Sequence, residues 1–191
     1  MKTLRNLALL LIAVFPLQQI QAQEVKVNNA NSKLTVFGTS NLHDWDMKAE
    51  RLSGTAVFKT EAGKLTGIDR LTFVVDVESL KSGKSGLDRN AYSALNSSSH
   101  KTINYTLSRV NRVTETGNNT YTIETTGNLR IAGETKQVSI TFTARTSGNS
   151  VTLSGKVPLN MTHYKVDPPR ALMGTVRTAE EVTIDFEVIY N

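Results

Sequence analysis

The residues best equipped for chemistry crowd into one stretch, Gly38-Thr39-Ser40-Asn41-Leu42-His43-Asp44-Trp45. It sets the chain's only tryptophan beside a histidine, an aspartate and a serine. Serine, histidine and a carboxylate are the parts of a nucleophilic triad. No G-x-S-x-G elbow accompanies them, and a serine three residues from its histidine on one strand-to-loop segment rarely reaches triad geometry. Two other readings stay open. Either Trp45 caps a core while His43 and Asp44 bond local backbone, or His43 and Trp45 form a mouth that meets a ligand headgroup. Tryptophan suits such a rim because its ring is apolar and its N–H donates. The three histidines, His43, His100 and His163, lack metal-ligand spacing such as H-x-x-x-H, and there is no cysteine. No metal, no cofactor and no catalytic residue are expected.

A second dense stretch is Asp167-Pro168-Pro169-Arg170-Ala171-Leu172-Met173-Gly174. Consecutive prolines stiffen the backbone and cannot donate to a ladder, so this reads as a rigid excursion between the last two strands. Arg170 is a candidate for an anionic headgroup, with a salt bridge to a neighbouring acid as the plain alternative. Asn118 and Asn160 lie in N-x-T sequons, read as chance occurrences.

The elements that must position these residues are strands. Apolar and polar residues alternate in Tyr121-x-Ile123 to Leu129-x-Ile131, in Val138-x-Ile140-x-Phe142, in Val151-x-Leu153 to Leu159-x-Met161 and in Val182-x-Ile184-x-Phe186-x-Val188-x-Tyr190. Side chains alternate faces along a strand, so the pattern builds a sheet with one apolar and one polar face. Strands are expected at Glu24–Val27, Lys33–Thr39, Arg51–Lys59, Ile68–Val77, Ile103–Val113, Thr120–Ala132, Gln137–Ser147, Ser150–Leu159 and Val182–Tyr190. Turn signals separate them at Glu61-Ala62-Gly63, Gly117-Asn118-Asn119, Ala132-Gly133-Glu134 and Ser147-Gly148-Asn149. About eight antiparallel strands of this length fit a closed barrel or a sandwich. Only Gly86–Asn96 breaks the beat. Leu87, Ala91 or Tyr92, and Leu95 recur at helical spacing, so one short amphipathic helix is expected, opened by Ser85 or Gly86 and closed by Asn96. It reads as a plug, or a lid, over one end.

The start of the chain reads as a leader. Lys2 and Arg5 precede an apolar run from Leu7 to Leu17, about eleven residues and too short to span a bilayer. Cleavage near Ala22 or Gln23 would leave one domain of about 168 residues, 23–191, large enough for its own core. The leader points to a periplasmic or secreted setting; without cysteine there is no lipid anchor at the cleavage site and no disulfide, which favours a bacterial periplasm over a disulfide-stapled secreted fold. The chain has 22 basic and 17 acidic residues; without Lys2 and Arg5 the balance is 20 against 17, or +3. No basic stripe interleaved with aromatics is present, so nucleic acid is not an expected partner.

The order Val36-Phe37-Gly38-Thr39-Ser40, His43-Asp44-Trp45, a helix ending in Leu95, His100-Lys101-Thr102-Ile103-Asn104-Tyr105, Gly127-Asn128-Leu129-Arg130-Ile131-Ala132-Gly133 and Val138-Ser139-Ile140 resembles the YceI-like family of bacterial exported proteins. The resemblance covers essentially everything after the leader. His100-Lys101 stand where that family often has an aromatic-proline pair. The resemblance implies a lipocalin-like closed antiparallel barrel that holds an isoprenoid or similar lipid in an internal tunnel, without catalysis. Alternate positions then give the candidate lining: Phe37, Phe73, Val75, Ile103, Tyr105, Leu129, Ile131, Ile140, Phe142, Leu153, Leu159 and Phe186. His43, Trp45 and Arg170 are the candidates for the mouth. Two non-enzymatic rivals are a filled β-domain of the cell envelope and an outer-membrane barrel with its apolar face turned out. Aromatics at 6% are too few for two membrane girdles. Oligomeric state stays open, with a homodimer one option.

Overall fold

Where polar and apolar residues alternate, the backbone is extended. A computed structural model describes residues 23–191, except the side chains of 171 and 172; the expected leader lies outside the described residues. The elements are β1 (Glu24–Lys26), β2 (Lys33–Ser40), β3 (Asp44–Ala49), β4 (Leu52–Ser53), β5 (Thr55–Glu61), β6 (Lys64–Asp76), β7 (Leu80–Lys81), α1 (Ser85–Ala94), β8 (Thr102–Gly117), β9 (Thr120–Ile131), β10 (Glu134–Ser147), β11 (Ser150–Asn160), β12 (Arg170–Ala171) and β13 (Val176–Tyr190). All thirteen described strands join one curled sheet in the order β1-β5-β6-β8-β9-β10-β11-β13-β2-β3-β7, with β4 on β6 and β12 on β13. The strand pairings are antiparallel. Tight two-residue turns join several neighbours. Ala62-Gly63, Asn118-Asn119 and Ala132-Gly133 all take positive φ, as the twist-matched hairpin turn requires.

The strand count exceeds the expected eight, for identifiable reasons. The expected strand Arg51–Lys59 is cut into β4 and β5 at Gly54, whose φ of 145° brings its α-carbon against the backbone of Thr72; a β-carbon there would stand 2.2 Å from the Thr72 carbonyl oxygen. β3 is not among the expected strands, although Trp45, Met47 and Ala49 alternate with charged residues. β6, β8, β10 and β13 run several residues past the expected ends, because polar ladder residues continue pairing where the apolar beat stops. The helix is opened by Lys84, without a side-chain cap, rather than by Ser85 or Gly86. Asn96 follows it in the left-handed region at φ 49°, as a closing residue should.

The apolar face of the sheet points inward and the charged and threonine-rich face outward, the reverse of a lipid-embedded barrel. One end of the interior is filled. β6 pairs with β8 only through Thr72–Asp76, while Lys64–Leu71 stay with β5. That hairpin contributes Ala56, Leu65, Ile68 and Leu71 to a buried cluster with Tyr121, Ile123, Ala144, Val151, Val188 and Tyr190. Its polar atoms are partnered: the Leu65 N–H donates to the Tyr121 hydroxyl (3.2 Å), and the Tyr190 hydroxyl donates to the Thr72 carbonyl (3.0 Å). At the other end, β4 lies on β6 through Leu52↔Val75 and β3 on β7 through Ala49↔Leu80. Arg51 spans this seam with two hydrogen bonds to the Asp76 carboxylate (3.2 and 2.9 Å). The Arg51 bond, opposed by partial burial, holds Asp76 below its usual carboxylate range.

Candidate ligand-binding cavity

Away from the filled end, inward side chains stop meeting. Cross-strand pairs fix which residues form the wall: Phe73↔Tyr105, Val75↔Ile103, Tyr105↔Leu129, Val157↔Ile184, Leu159↔Val182, Ile184↔Val36 and Val36↔Met47. Between these walls lies a cavity of about 220 Å³, with Leu71, Phe142, Leu153, Val188 and Tyr190 towards the filled end. Several wall residues, among them Ile103, Leu129, Ile140 and Ile184, point inward yet keep accessible surface. Inward and accessible together mean that they face a void.

Three inward glycines help keep it open. A β-carbon on Gly38 would run into the Trp45 ring, one on Gly127 into Tyr105, and one on Gly155 would crowd Phe186. Each ring therefore lies flat against the wall instead of across the bore, an arrangement that also shields the bare glycine backbone.

The other end is covered by α1 through Leu87, Ala91, Ala94 and Leu95, by a 3-10 turn at Met161–Tyr164 with Val166, and by Pro169 and Thr178. The helix is tied down. The Tyr92 hydroxyl lies 2.7 Å from the Leu80 carbonyl and receives Lys81 Nζ at 2.7 Å. The Asp88 carboxylate accepts the Ser82 hydroxyl (2.6 Å) and the Ser82 N–H (2.8 Å). Burial pushes Asp88 up, but the Ser82 bonds and Lys81 outweigh it and hold the carboxyl below its ordinary value. These ties describe a fixed cap.

The polar groups of Trp45, Tyr105 and Tyr190 on the lining are already engaged with protein. The Trp45 indole N–H donates to the Thr39 carbonyl (3.2 Å), and the Tyr105 hydroxyl pairs with the Thr125 hydroxyl (3.1 Å). Burial raises the Tyr105 and Tyr190 phenols above their ordinary values, so both stay neutral. What faces the void is almost wholly hydrocarbon and aromatic carbon.

Eleven of the twelve lining candidates, Phe73, Val75, Ile103, Tyr105, Leu129, Ile131, Ile140, Phe142, Leu153, Leu159 and Phe186, lie on the cavity. Phe37 does not. It is 45% exposed on the outer face, paired with Asp46 and Thr183, because Leu34 and Val36 take the inward parity of β2. Strand parity, not side-chain size, decides which residues of β2 face inward. The same parity would have found Val36, Val157, Val182 and Ile184. The cap residues carry no strand period and had only the helical stripe of α1 as a signal.

The mouth trio separates. Trp45 lies on the cavity wall. His43 is exposed in a tight turn in which the Ser40 hydroxyl oxygen accepts the Leu42 and His43 N–H groups (3.2 and 3.1 Å). Ser40 is thereby committed to backbone, and 3.5 Å to His43 Nδ1 is too long for an activated nucleophile. Arg170 is exposed on β12, off the lining, and makes no ion pair with an acid among the described residues. No group of three histidines or acids suited to a metal ion occurs among the described residues.

A family model described as "YceI-like domain" matches residues 8–190. No curated protein matches in sequence. Among solved structures, the chain is similar to BcnA of Burkholderia cenocepacia, at 20% identity over 85% of this chain and 98% of that one, with a TM-score of 0.68. It is similar to a polyisoprenoid binding domain from Saccharophagus degradans implicated in plant cell wall breakdown, at 13% identity over 87% and 97%, with a TM-score of 0.69. A YceI protein of Campylobacter jejuni aligns at 14% identity over 74% and 81%, with a TM-score of 0.52. At these identities the likeness speaks for the fold.

Proposed function

The chain belongs to the YceI-like family, and on that footing we propose that it is an exported, non-enzymatic carrier that holds one long apolar chain, an isoprenoid or similar lipid, within its curled sheet. The observation that carries this reading is the cavity of about 220 Å³ with its carbon lining. Cavities of about 150 Å³ with such walls stay dry and take up small hydrocarbons. Filling the void with a lipid tail contributes about 0.8 kcal/mol per buried methylene, so affinity needs few polar contacts. The polyisoprenoid binding domain of similar fold supports the same ligand class. The seam pairings of β4 with β6 and β7 with β3 support reading the sheet as a closed barrel and the cavity as a blind tunnel.

In this reading the eleven inward residues named above contact the tail, Trp45 lies along it near the capped end, and Arg170 stands where a headgroup would emerge. Export follows from the leader read in residues 1–22. Two measurements test the proposal. Mass spectrometry of lipids extracted from gently purified protein should find a prenyl or similar long-chain compound in stoichiometric amount. Titration of delipidated protein with a prenyl lipid should shift Trp45 emission. An empty protein that also gives no shift at saturation would remove the carrier reading.

A further inference from the structure

Two turns stand together at the capped end of the cavity, and three of their features are unfavourable for a surface that meets only water. The first is exposed apolar bulk. Leu42, at the β2–β3 turn, is 67% exposed, and Met173, between β12 and β13, is wholly exposed at 107%. The second is backbone strain, since Met173 sits at φ 55°, a conformation that a side-chain-bearing residue seldom adopts. The third is charge. Arg170 and Arg177 face each other directly across β12 and β13, both exposed, and like charges so placed repel. Neither forms an ion pair with an acid among the described residues.

The two turns act as one piece. The Asn41 backbone N–H donates to the Arg177 carbonyl (3.1 Å), its amide donates to the Thr175 carbonyl (2.9 Å), and its side-chain oxygen accepts the Arg177 N–H (2.8 Å). Directly beneath, the Thr178 N–H donates to the Pro169 carbonyl, and both residues lie on the cavity.

We propose that this rim is a docking surface for an anionic phospholipid bilayer. Leu42 and Met173 enter the interfacial layer, Arg170 and Arg177 meet lipid phosphates, and a lipid tail passes between bilayer and cavity beside Pro169 and Thr178. The arginines explain the preferred partner. Arg177 Nε already donates to the Gly174 carbonyl (3.3 Å), but an anion held between the two guanidinium groups relieves their repulsion further, and a guanidinium pairs with phosphate in a fork. The apolar tips explain why that anion belongs to a membrane: a soluble phosphate offers them nothing, whereas peripheral binding grows with apolar area and with cationic charge together. The proposal rests on the carrier reading, since it gives the route by which that cavity is loaded.

Flotation of the mature protein with vesicles of equimolar phosphatidylglycerol and phosphatidylcholine tests it. Binding is expected, weaker at raised salt and on phosphatidylcholine alone. The double variant Leu42→Ser with Met173→Ser should lose about tenfold in vesicle affinity. Arg170→Ser should lose about fivefold on the anionic vesicles and little on the neutral ones. Loading of a prenyl lipid from solution, read by Trp45 emission, should be unchanged in the Leu42/Met173 variant, as should its melting temperature. Wild-type protein that loads lipid from solution but ignores anionic vesicles would overturn docking alone. A double variant that floats like wild type would also overturn it. Protein that floats but never loads lipid would instead remove the carrier reading.

Discussion

The two ends of the interior use one sequence rule and reach opposite results. At the packed end Tyr121 and Ile123 are 1% and 0% exposed, and the β5–β6 hairpin drives Leu65 and Ile68 between the walls. At the hollow end Ile103, Leu129 and Ile184 have the same parity and the same chemistry, but nothing is driven between them. Helix α1 crosses above with Ala91 and Ala94 among its inward residues, which cover the space without filling it. Alternation decides which side chains point in. A third element, and the bulk it brings, decides whether they touch.

The sharpest way to break this comparison is to truncate matching residues at the two ends. Ile123→Ala should cost about 2–5 kcal/mol, because it opens a hole in a filled core. Leu129→Ala should cost about half as much or less, since it enlarges an existing void, and urea denaturation reads both. Equal losses would mean that the hollow end is packed in solution. Enlargement gives the mirror test. Ala144→Leu should cost about 1–3 kcal/mol by overpacking, whereas Val157→Phe should cost under about 1 kcal/mol and abolish lipid uptake. Gly127→Val is subtler. Its new methyls should push the Tyr105 ring off the wall into the bore, and lipid titration should show weaker loading with little change in melting temperature.

The smallest effect concerns the seam at the hollow end. The pKa of Asp76 is lowered by its bonds to Arg51, so the folded state binds fewer protons there than the unfolded chain. Its stabilisation is fully present above the ordinary carboxylate pKa, near about 3.9, and is lost as pH falls through the lower folded value. The pair is largely solvent-exposed, so Asp76→Asn should lower the melting temperature only slightly at neutral pH and flatten its fall below about pH 4. An unchanged acid limb would show that Asp76 does not set it.

Much of this was readable before the backbone was known. The beat in Val182–Tyr190 and Thr120–Ile131 named β13 and β9, and strand parity put eleven residues on the cavity. Phe37 has the opposite parity to Leu34 and Val36 and lies on the outer face. β3 shows only a short apolar beat, because Asp44, Asp46 and Lys48 occupy its outward face. What periodicity could not contain is the difference between the ends. That depends on where the β5–β6 hairpin folds and on how α1 lies, both set by contacts between residues far apart in the chain. The Arg170–Arg177 opposition likewise exists only once β12 turns back on β13.

The engagement of the Trp45, Tyr105 and Tyr190 polar groups with the protein itself has a consequence for selectivity. A wall that is so nearly all carbon has little means of reading functional groups along a tail. It compares candidates chiefly by girth and by how far they reach before meeting the packed floor. Such a protein would work as a gauge: tails of one thickness compete on length, whatever their chemical family, and a shift in preference would come from changing the size of a wall residue rather than from adding a hydrogen bond.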